Sequence, residues 1–496
     1  MSKRLRFNVI FSFCNALITL LFPLVTYPYV SRVLEPEGIG AYNIAFSIMS
    51  YFLLFANLGI PIYATREIAK VRNDRESLRK VSTTIIILHA ISTVTIFAIY
   101  TGYVCFAANA QNRFWVNFIT GFHILAIFLN VEWFYQGREE YAAITIKNLI
   151  VKIVSLILIF TLVRTNEDLI IYAAIMIFSV LGYGVFNFIH FLKVVRPSAK
   201  GIELKPYFKP ILLSFTLYAA SRLANGLDVI MIDGLLGDSA EYVAGQYGVA
   251  TKFVNVIIDL LLVVNTVMLP RLSMLIQNES YEEAKKLSKM IEELMFMVVL
   301  PATIGLIFVS KEITMVFFGE MYEPAITTME IMSGNAFLAV FTNFLGIQIL
   351  YAYGKDWFTT ISILSGAVVN VVCNLFLIPR FYQTGAAIAT IISNSVILII
   401  EMVGVIKWKY MKFLTLSNLK TIIASILMTG VLLILYFFLP ISSNILLLVI
   451  KMSAAIVIYL ISILVMRHSS LMFFINEIKA KINSKKNNKC EIDLES

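Results

Sequence analysis

The sequence predicts an all-α polytopic membrane protein of about 14 transmembrane helices: two pseudo-symmetric six-helix lobes followed by a C-terminal two-helix hairpin. Three observations predict it. Of the 496 residues, 59% are hydrophobic and only 14% charged, against roughly 25% charged in soluble domains, so most of the apolar surface needs a bilayer to cover it. Fourteen apolar runs approach or exceed the roughly 20 residues a helix needs to cross hydrocarbon. Two pairs of segments recur across the halves. This composition excludes a soluble enzyme, a nucleic-acid binder and a disordered chain.

The spans, in order, are 7–30, 39–63, 81–107, 114–135, 141–163, 169–192, 210–232, 242–269, 291–309, 328–353, 357–379, 384–406, 421–439 and 444–465. The first follows MSKRLR, as a signal peptide would, but it is too long for an h-region and no small-x-small cleavage site follows, so it reads as a retained span. Spans seven and eight carry charges. With both termini cytoplasmic, thirty of the 40 Lys/Arg fall on the inner side and five on the outer, the other five lying within spans. That bias sets the topology and explains the net charge of +9 without nucleic acid. The stretch 65–80 reads as one interfacial amphipathic helix. Cys14, Cys105, Cys373 and Cys490 show no CxxC spacing, so neither a disulfide nor a zinc framework is expected.

The repeat pairs VLEPEGIGAYNIA (33–45) with LLGDSAEYVAGQYGVA (235–250), Tyr42 matching Tyr247 at an offset of 205. It also pairs YQGREEYAAITI (135–146) with AYGKDWFTTISI (352–363), Gly137 matching Gly354 at an offset of 217. Six spans per half put both halves in the same orientation, an arrangement that suits alternating access around a site between lobes. The expected divisions are an N-lobe 1–203 (spans one to six), a C-lobe 204–410 (seven to twelve), an extra hairpin 411–470 and a cytoplasmic basic tail 471–496.

Polar residues recur at helical spacing inside several spans. Span one carries Asn8, Ser12, Asn15, Thr19 and Thr26; span two Asn43, Ser47, Ser50 and Asn57. Span five carries Asn148 with Thr145 and Ser155; span seven Ser214, Tyr218, Ser221 and Asn225; span eight Asn255 and Thr266. Isolated stripes of this kind serve as interhelical hydrogen bonds; five of them point to a wet cavity.

Ionisable groups at mid-membrane cost about 2.5–3.5 kcal/mol on insertion scales, so they should face protein or water. Lys152, Arg222 and Lys252 all lie roughly 15–18 Å from the nearest ends of their spans. Such cations suit an anionic head group, Arg offering phosphate two parallel hydrogen bonds; the alternative is that Arg222 and Lys252 neutralise Asp228 and Asp259. The acids Asp228, Asp259, Glu132 and Glu401 could couple an ion, or could be structural pairs. Lys147 and Lys451, nearer the interfaces, are expected to snorkel, and His123 to pack. Pro23 and Pro28 could hinge a gate or form a static kink. No phosphate-binding loop, metalloprotease or hydrolase motif is present, so no catalytic residue, cofactor or metal is expected and the chain reads as a transporter.

The opening third, FPLVTYPYVSRVLEPEGIGAYNIAFSIMSYFLLFANLGIPIYATREIAKVRND (22–74), resembles the bacterial polysaccharide repeat-unit flippases that serve O-antigen, capsule and exopolysaccharide synthesis. NVEWFYQGREEY (130–141), FFGEMYEPA (317–325) and NLFLIPRFYQTGAAIAT (374–390) fit the same pattern, and the resemblance covers about 1–410. These flippases belong to the multidrug, oligosaccharidyl-lipid and polysaccharide exporter (MOP) superfamily, whose fold is two six-helix lobes with an optional hairpin. The resemblance implies a cavity lined by spans one, two, seven and eight. It implies translocation of an undecaprenyl-diphosphate-linked oligosaccharide from the inner to the outer leaflet of the bacterial plasma membrane. Partners would be that lipid, membrane lipid, and the polysaccharide polymerase and chain-length machinery. Alternatives are a multidrug or cation antiporter of the same superfamily, a flippase for the peptidoglycan lipid precursor, and a membrane glycan polymerase or ligase. The last is disfavoured because the longest outer loop, 310–326, is short.

Overall fold

The structure is a computed structural model that describes residues 3–108, 113–198, 204–212, 215, 226–411, 415–439 and 441–472. Among them every regular element is helical. In chain order they are α1 (Lys3–Asn57), α2 (Ile60–Val71), α3 (Arg75–Tyr103), α4 (Phe114–Asn130), α5 (Glu132–Gly137), α6 (Tyr141–Leu162) and α7 (Leu169–Val195). Then come α8 (Leu227–Leu236), α9 (Ala240–Gln277), α10 (Tyr281–Ile313), α11 (Ala325–Asn343), α12 (Asp356–Lys407), α13 (Leu416–Phe438) and α14 (Asn444–Val465). Ten helical stretches among the described residues are long and apolar enough to cross a membrane.

Two of those stretches each hold two predicted spans. α1 passes through Pro23 and Pro28 and breaks instead at Glu35 (φ 61°, ψ 172°), because Pro36 pushes the residue before it out of the helical region. α12 also breaks, at Tyr382 (φ 52°, ψ −131°), with no proline after it. Spans one and two therefore share α1, and spans eleven and twelve share α12.

The stretch 65–80 is not one interfacial helix. α2 ends at Val71, and Asp74 starts α3 by accepting from the Glu76 N–H at 3.1 Å and from the Ser77 hydroxyl. Those two donors hold the Asp74 carboxyl below its usual range. α2 stays amphipathic, Ile60, Tyr63, Ala64 and Ile68 being buried and Arg66 and Lys70 facing outward.

The chain forms two compact units. The first comprises Met1–Phe253, Phe317–Ala325 and Asn370–Ala389; the second comprises Val254–Val316, Ile326–Val369 and Thr390–Ser496. The division cuts across α9 and α12 rather than between sequence halves. In the first unit α1 packs on α3, α4, α6, α7 and α8, and α4 packs on α7. In the second, α13 and α14 pack on each other and both on α10.

The hairpin is held to α10 by polar locks at both ends. Lys451 reaches Glu312 at 2.5 Å, the side chains being 3% and 4% exposed, and its ammonium also donates to the Phe308 carbonyl at 3.2 Å. Lys451 therefore turns inward instead of snorkelling: a charge that would otherwise face hydrocarbon finds a carboxylate on the neighbouring helix. Near the start of α10, Asn418 donates to Glu292 at 2.7 Å and Ser469 to Glu293 at 2.9 Å.

Candidate functional site: a lysine-flanked helix beneath a glycine clasp

Two helical arms, α1 beyond Pro36 and α9 from Ala240, cross in backbone contact within the first unit. A Cβ on Gly40 would lie 1.6 Å from the Glu241 carbonyl oxygen, and one on Gly245 would lie 2.0 Å from the Pro36 carbonyl oxygen. Both positions admit only glycine. Adding the repeat offset of 205 to Gly40 gives Gly245, and adding it to Pro36 gives Glu241, so the two contacts are one contact seen twice. Asn43 completes the symmetry. Its equivalent is Gly248, and a Cβ there would lie 2.1 Å from the Asn43 amide nitrogen. The residue therefore faces its own counterpart, as at the axis of an isologous interface. Bare backbones meeting this closely associate through packing and Cα–H···O contacts rather than side chains.

Side chains brace the clasp. Arg113, 9% exposed, binds Glu241 at 2.5 Å and also Asp233, joining the start of α4 to α8 and α9. The segment Phe317–Ala325 ties α1 to α9: Arg32 Nε donates to the Phe317 carbonyl at 3.0 Å and the Tyr322 hydroxyl to the Ser31 carbonyl at 3.0 Å. Gln246 donates to the Met321 carbonyl at 2.8 Å.

Next to the clasp along the first arm of α1 come the two described cations. Lys252, one turn past Gly248 on α9, has its ammonium 5.5 Å from the Tyr27 ring centroid. Tyr27 in turn receives the Asn43 amide at 3.1 Å. Lys152 on α6 lies 4.2 Å from the Phe22 ring centroid and donates to the Ser179 hydroxyl at 3.1 Å. It has no carboxylate partner among the described residues. Phe22 and Tyr27 are five residues apart, about 7.5 Å of rise and about 140° of rotation. The lysines thus approach α1 from two sides instead of converging on one face. Arg222 lies outside the described residues, as do Tyr218, Ser221, Asn225 and Ser214.

The stripes of spans one and five serve helix contacts. Asn148 donates to Asn15 at 2.8 Å and Thr145 to the Phe11 carbonyl at 2.9 Å, stitching α6 to α1. Thr19 is exposed and bonds back to the Asn15 carbonyl. Ser47 is half-buried, Asn57 is buried, and Asn255 and Asp259 are exposed. The side chains of Asn8 and Thr266 are outside the described set.

The remaining acids occupy distinct settings. Asp228 gathers donors: Asn374 at 2.8 Å and Asn370 at 3.2 Å on one oxygen, the Tyr247 hydroxyl at 2.7 Å on the other. Glu132 accepts from Asn130 at 3.0 Å, whose carbonyl receives Asn187 at 3.3 Å, which in turn takes Lys147 at 2.9 Å. Lys147 thus ends a buried polar chain. Glu401 is 1% exposed and lies 2.9 Å from the Ser362 hydroxyl; its second oxygen has no partner among the described residues. His123 is buried edge-on to Phe46.

Sequence reasoning missed Arg113, Asn370, Asn374 and the clasp glycines. The signal for the last was present, since Gly40 and Gly245 occupy equivalent places in the repeat.

Comparison with known proteins agrees with this architecture. Residues 5–276 match a family described as "Polysaccharide biosynthesis protein". A candidate O-antigen transporter of Shigella dysenteriae is 25% identical over 405 residues, covering 78% of this chain and 96% of its own. A similarly named protein of Escherichia coli K12 is 23% identical over 406 residues, 79% of this chain and 94% of its own. Among solved structures, the lipid II flippase MurJ in an inward closed conformation superposes with a TM-score of 0.71 at 15% identity, over 95% of this chain and 99% of its own. An inward-facing multidrug resistance transporter of the MOP superfamily gives 0.59 at 16% identity, over 79% and 95%. With a matched stretch that exceeds half its length, the chain belongs to the polysaccharide biosynthesis protein family, as a multi-pass membrane transporter on the MOP-superfamily fold.

Proposed function

We propose that the protein flips an undecaprenyl-diphosphate-linked oligosaccharide repeat unit from the inner to the outer leaflet of a bacterial plasma membrane, by alternating access. One observation carries the reading: two lysines from different helices flank the first arm of α1, Lys252 next to a closed backbone crossing, and Lys152 has no described counter-ion. Sugars and diphosphate cannot cross hydrocarbon unaided. A cavity with cations at its closed end replaces water around the diphosphate, while the isoprenoid chain stays in lipid. The aromatic rings hold the ammonium groups before substrate arrives, each contact being worth about 0.5–2 kcal/mol, little enough for a diphosphate to displace.

On the charge bias of the sequence the clasp would face outward and both termini the cytoplasm, so a closed clasp would bar the outer side. Opening requires Gly40 to leave Glu241 and Gly245 to leave Pro36 together, with Arg113 releasing its two acids. Asp228, surrounded by donors on both oxygens, is the acid best placed to answer to a coupling ion; Asp259, Glu132 and Glu401 are the other candidates. A cation exporter would want acids along the cavity arm of α1, and residues 11–34 contain none.

The test is a leaflet assay in proteoliposomes. Lipid-linked oligosaccharide on a diphosphate should cross, and the same glycan on a neutral lipid or a cationic drug should not. Transport of the cationic drug with no movement of the diphosphate lipid would overturn the reading.

A further inference from the structure

Among the described arginines that the charge bias sets on the cytoplasmic side of the first unit, three have acid partners. Arg66 pairs with Glu67 at 3.4 Å, Arg72 with Glu139 at 2.5 Å and Arg138 with Glu140 at 2.8 Å. Three do not. Arg75, Arg79 and Arg196 line one surface pocket of about 320 Å³, together with Glu76, Val194 and Val195. None of the three forms an ion pair among the described residues.

The pocket is shaped by backbone. Arg75 and Arg79 are four apart at the start of α3 and so share a face. Arg79 Nε donates to the Arg196 carbonyl at 2.8 Å, which fixes its guanidinium plane while leaving two terminal nitrogens for a ligand. Arg196 is exposed at this rim, where α7 ends in a left-handed turn (φ 47°, ψ 67°). Val194 and Val195 supply an apolar wall from the last turn of α7. Like charges gathered with one carboxylate repel, unless an anion with several acceptor oxygens joins them; guanidinium forks match phosphate in that way.

We propose that this pocket is a phosphate site at the inner membrane surface, separate from the cavity lysines, and that its ligand is the phosphate of an anionic phospholipid. Position favours the lipid: the pocket lies where α3 enters and α7 leaves the inner leaflet, with apolar wall beside basic rim. A bound lipid there would pin α3 to α7.

The test uses the full-length protein in neutral detergent, stripped of co-purifying lipid. Thermal unfolding is followed while phosphatidylglycerol, phosphatidylcholine or inorganic diphosphate is titrated. Phosphatidylglycerol should raise the midpoint saturably and phosphatidylcholine should not. Arg75→Gln, which removes a side chain with no internal bond among the described residues, should weaken the response about 5-fold, the usual effect of one basic residue at an anionic surface. The triple change R75Q/R79Q/R196Q should abolish it. Arg66→Gln, outside the pocket, should leave it intact. Competition by diphosphate would show that phosphate alone is read; its failure to compete would show that the acyl chains are needed too. An equal response in wild type and R75Q, or equal weakening by R66Q, would reduce the pocket to general surface charge and overturn the proposal.

Discussion

At the scale of single residues, buried charge separates structural from functional roles. Lys451 and Glu312 neutralise each other in a nearly inaccessible contact. Removing one partner of such a pair strands the other, at about 3–5 kcal/mol. Lys451→Ala should therefore lower the thermal midpoint sharply, and the double change K451M/E312L should recover most of it. Failure of the double variant to recover would show that Lys451 matters beyond its partner. Lys152 is the opposite case, a cation held by a ring and a hydroxyl, and its replacement should spare stability. Position within a span made both lysines noticeable in the sequence, Lys152 at mid-membrane and Lys451 nearer the interface. It did not separate their roles, because the acid that captures Lys451 lies 139 positions away in the chain. Asp74 acts on local order: its carboxyl is held low by Ser77 and Glu76. A depressed carboxyl contributes stability above its unfolded pKa and loses it as pH falls through the folded one. Amide exchange at the first turn of α3 should therefore rise on acidification, and Asp74→Asn should remove that dependence.

At the scale of elements, the clasp governs. Gly40→Ala places a methyl on a carbonyl oxygen, and overpacking of this kind costs about 1–3 kcal/mol. If the crossing is the proposed gate, the expected outcome is a protein that reaches the membrane but cannot close the clasp. A cysteine in place of Asn43, with the native cysteines replaced, should be shielded from an impermeant thiol reagent in the parent and labelled in the Gly40→Ala background. Shielding in both would show that the crossing is not a gate. Helix identity and, among the described residues, most span positions were legible from periodicity. The breaks were less so: the Glu35 break follows from the proline after it, whereas nothing in RFYQTG announces Tyr382. The clasp was hidden because a glycine contact is written as a missing side chain. Pro23 and Pro28, conspicuous in sequence, lie inside continuous helix. On the side assigned to the cytoplasm, helix ends turn through left-handed residues at Glu139, Arg196, Glu279, Gly354, Lys409 and Arg467. A Cβ on Gly354 would meet nothing within 4 Å, so Gly354→Ala isolates the backbone term, about 1–2 kcal/mol, readable as a lower thermal midpoint.

At the scale of the whole molecule, the fold and the family agree on a transporter, and the chemistry of its cargo rests on the lysines. The diphosphate recognition proposed for Lys152 and Lys252 makes a charge-specific demand that packing alone would not. Arginine at either position keeps the charge and should keep part of the rate, while methionine keeps the bulk and should lose it. The most direct measurement is the initial rate at which undecaprenyl-diphosphate-linked oligosaccharide reaches the far leaflet of proteoliposomes, compared among parent, K152M/K252M and K152R/K252R at equal reconstituted amounts. The account predicts transport in the parent, a fall of at least tenfold in the methionine variant, and partial retention in the arginine variant. Equal rates in the parent and the methionine variant would contradict it.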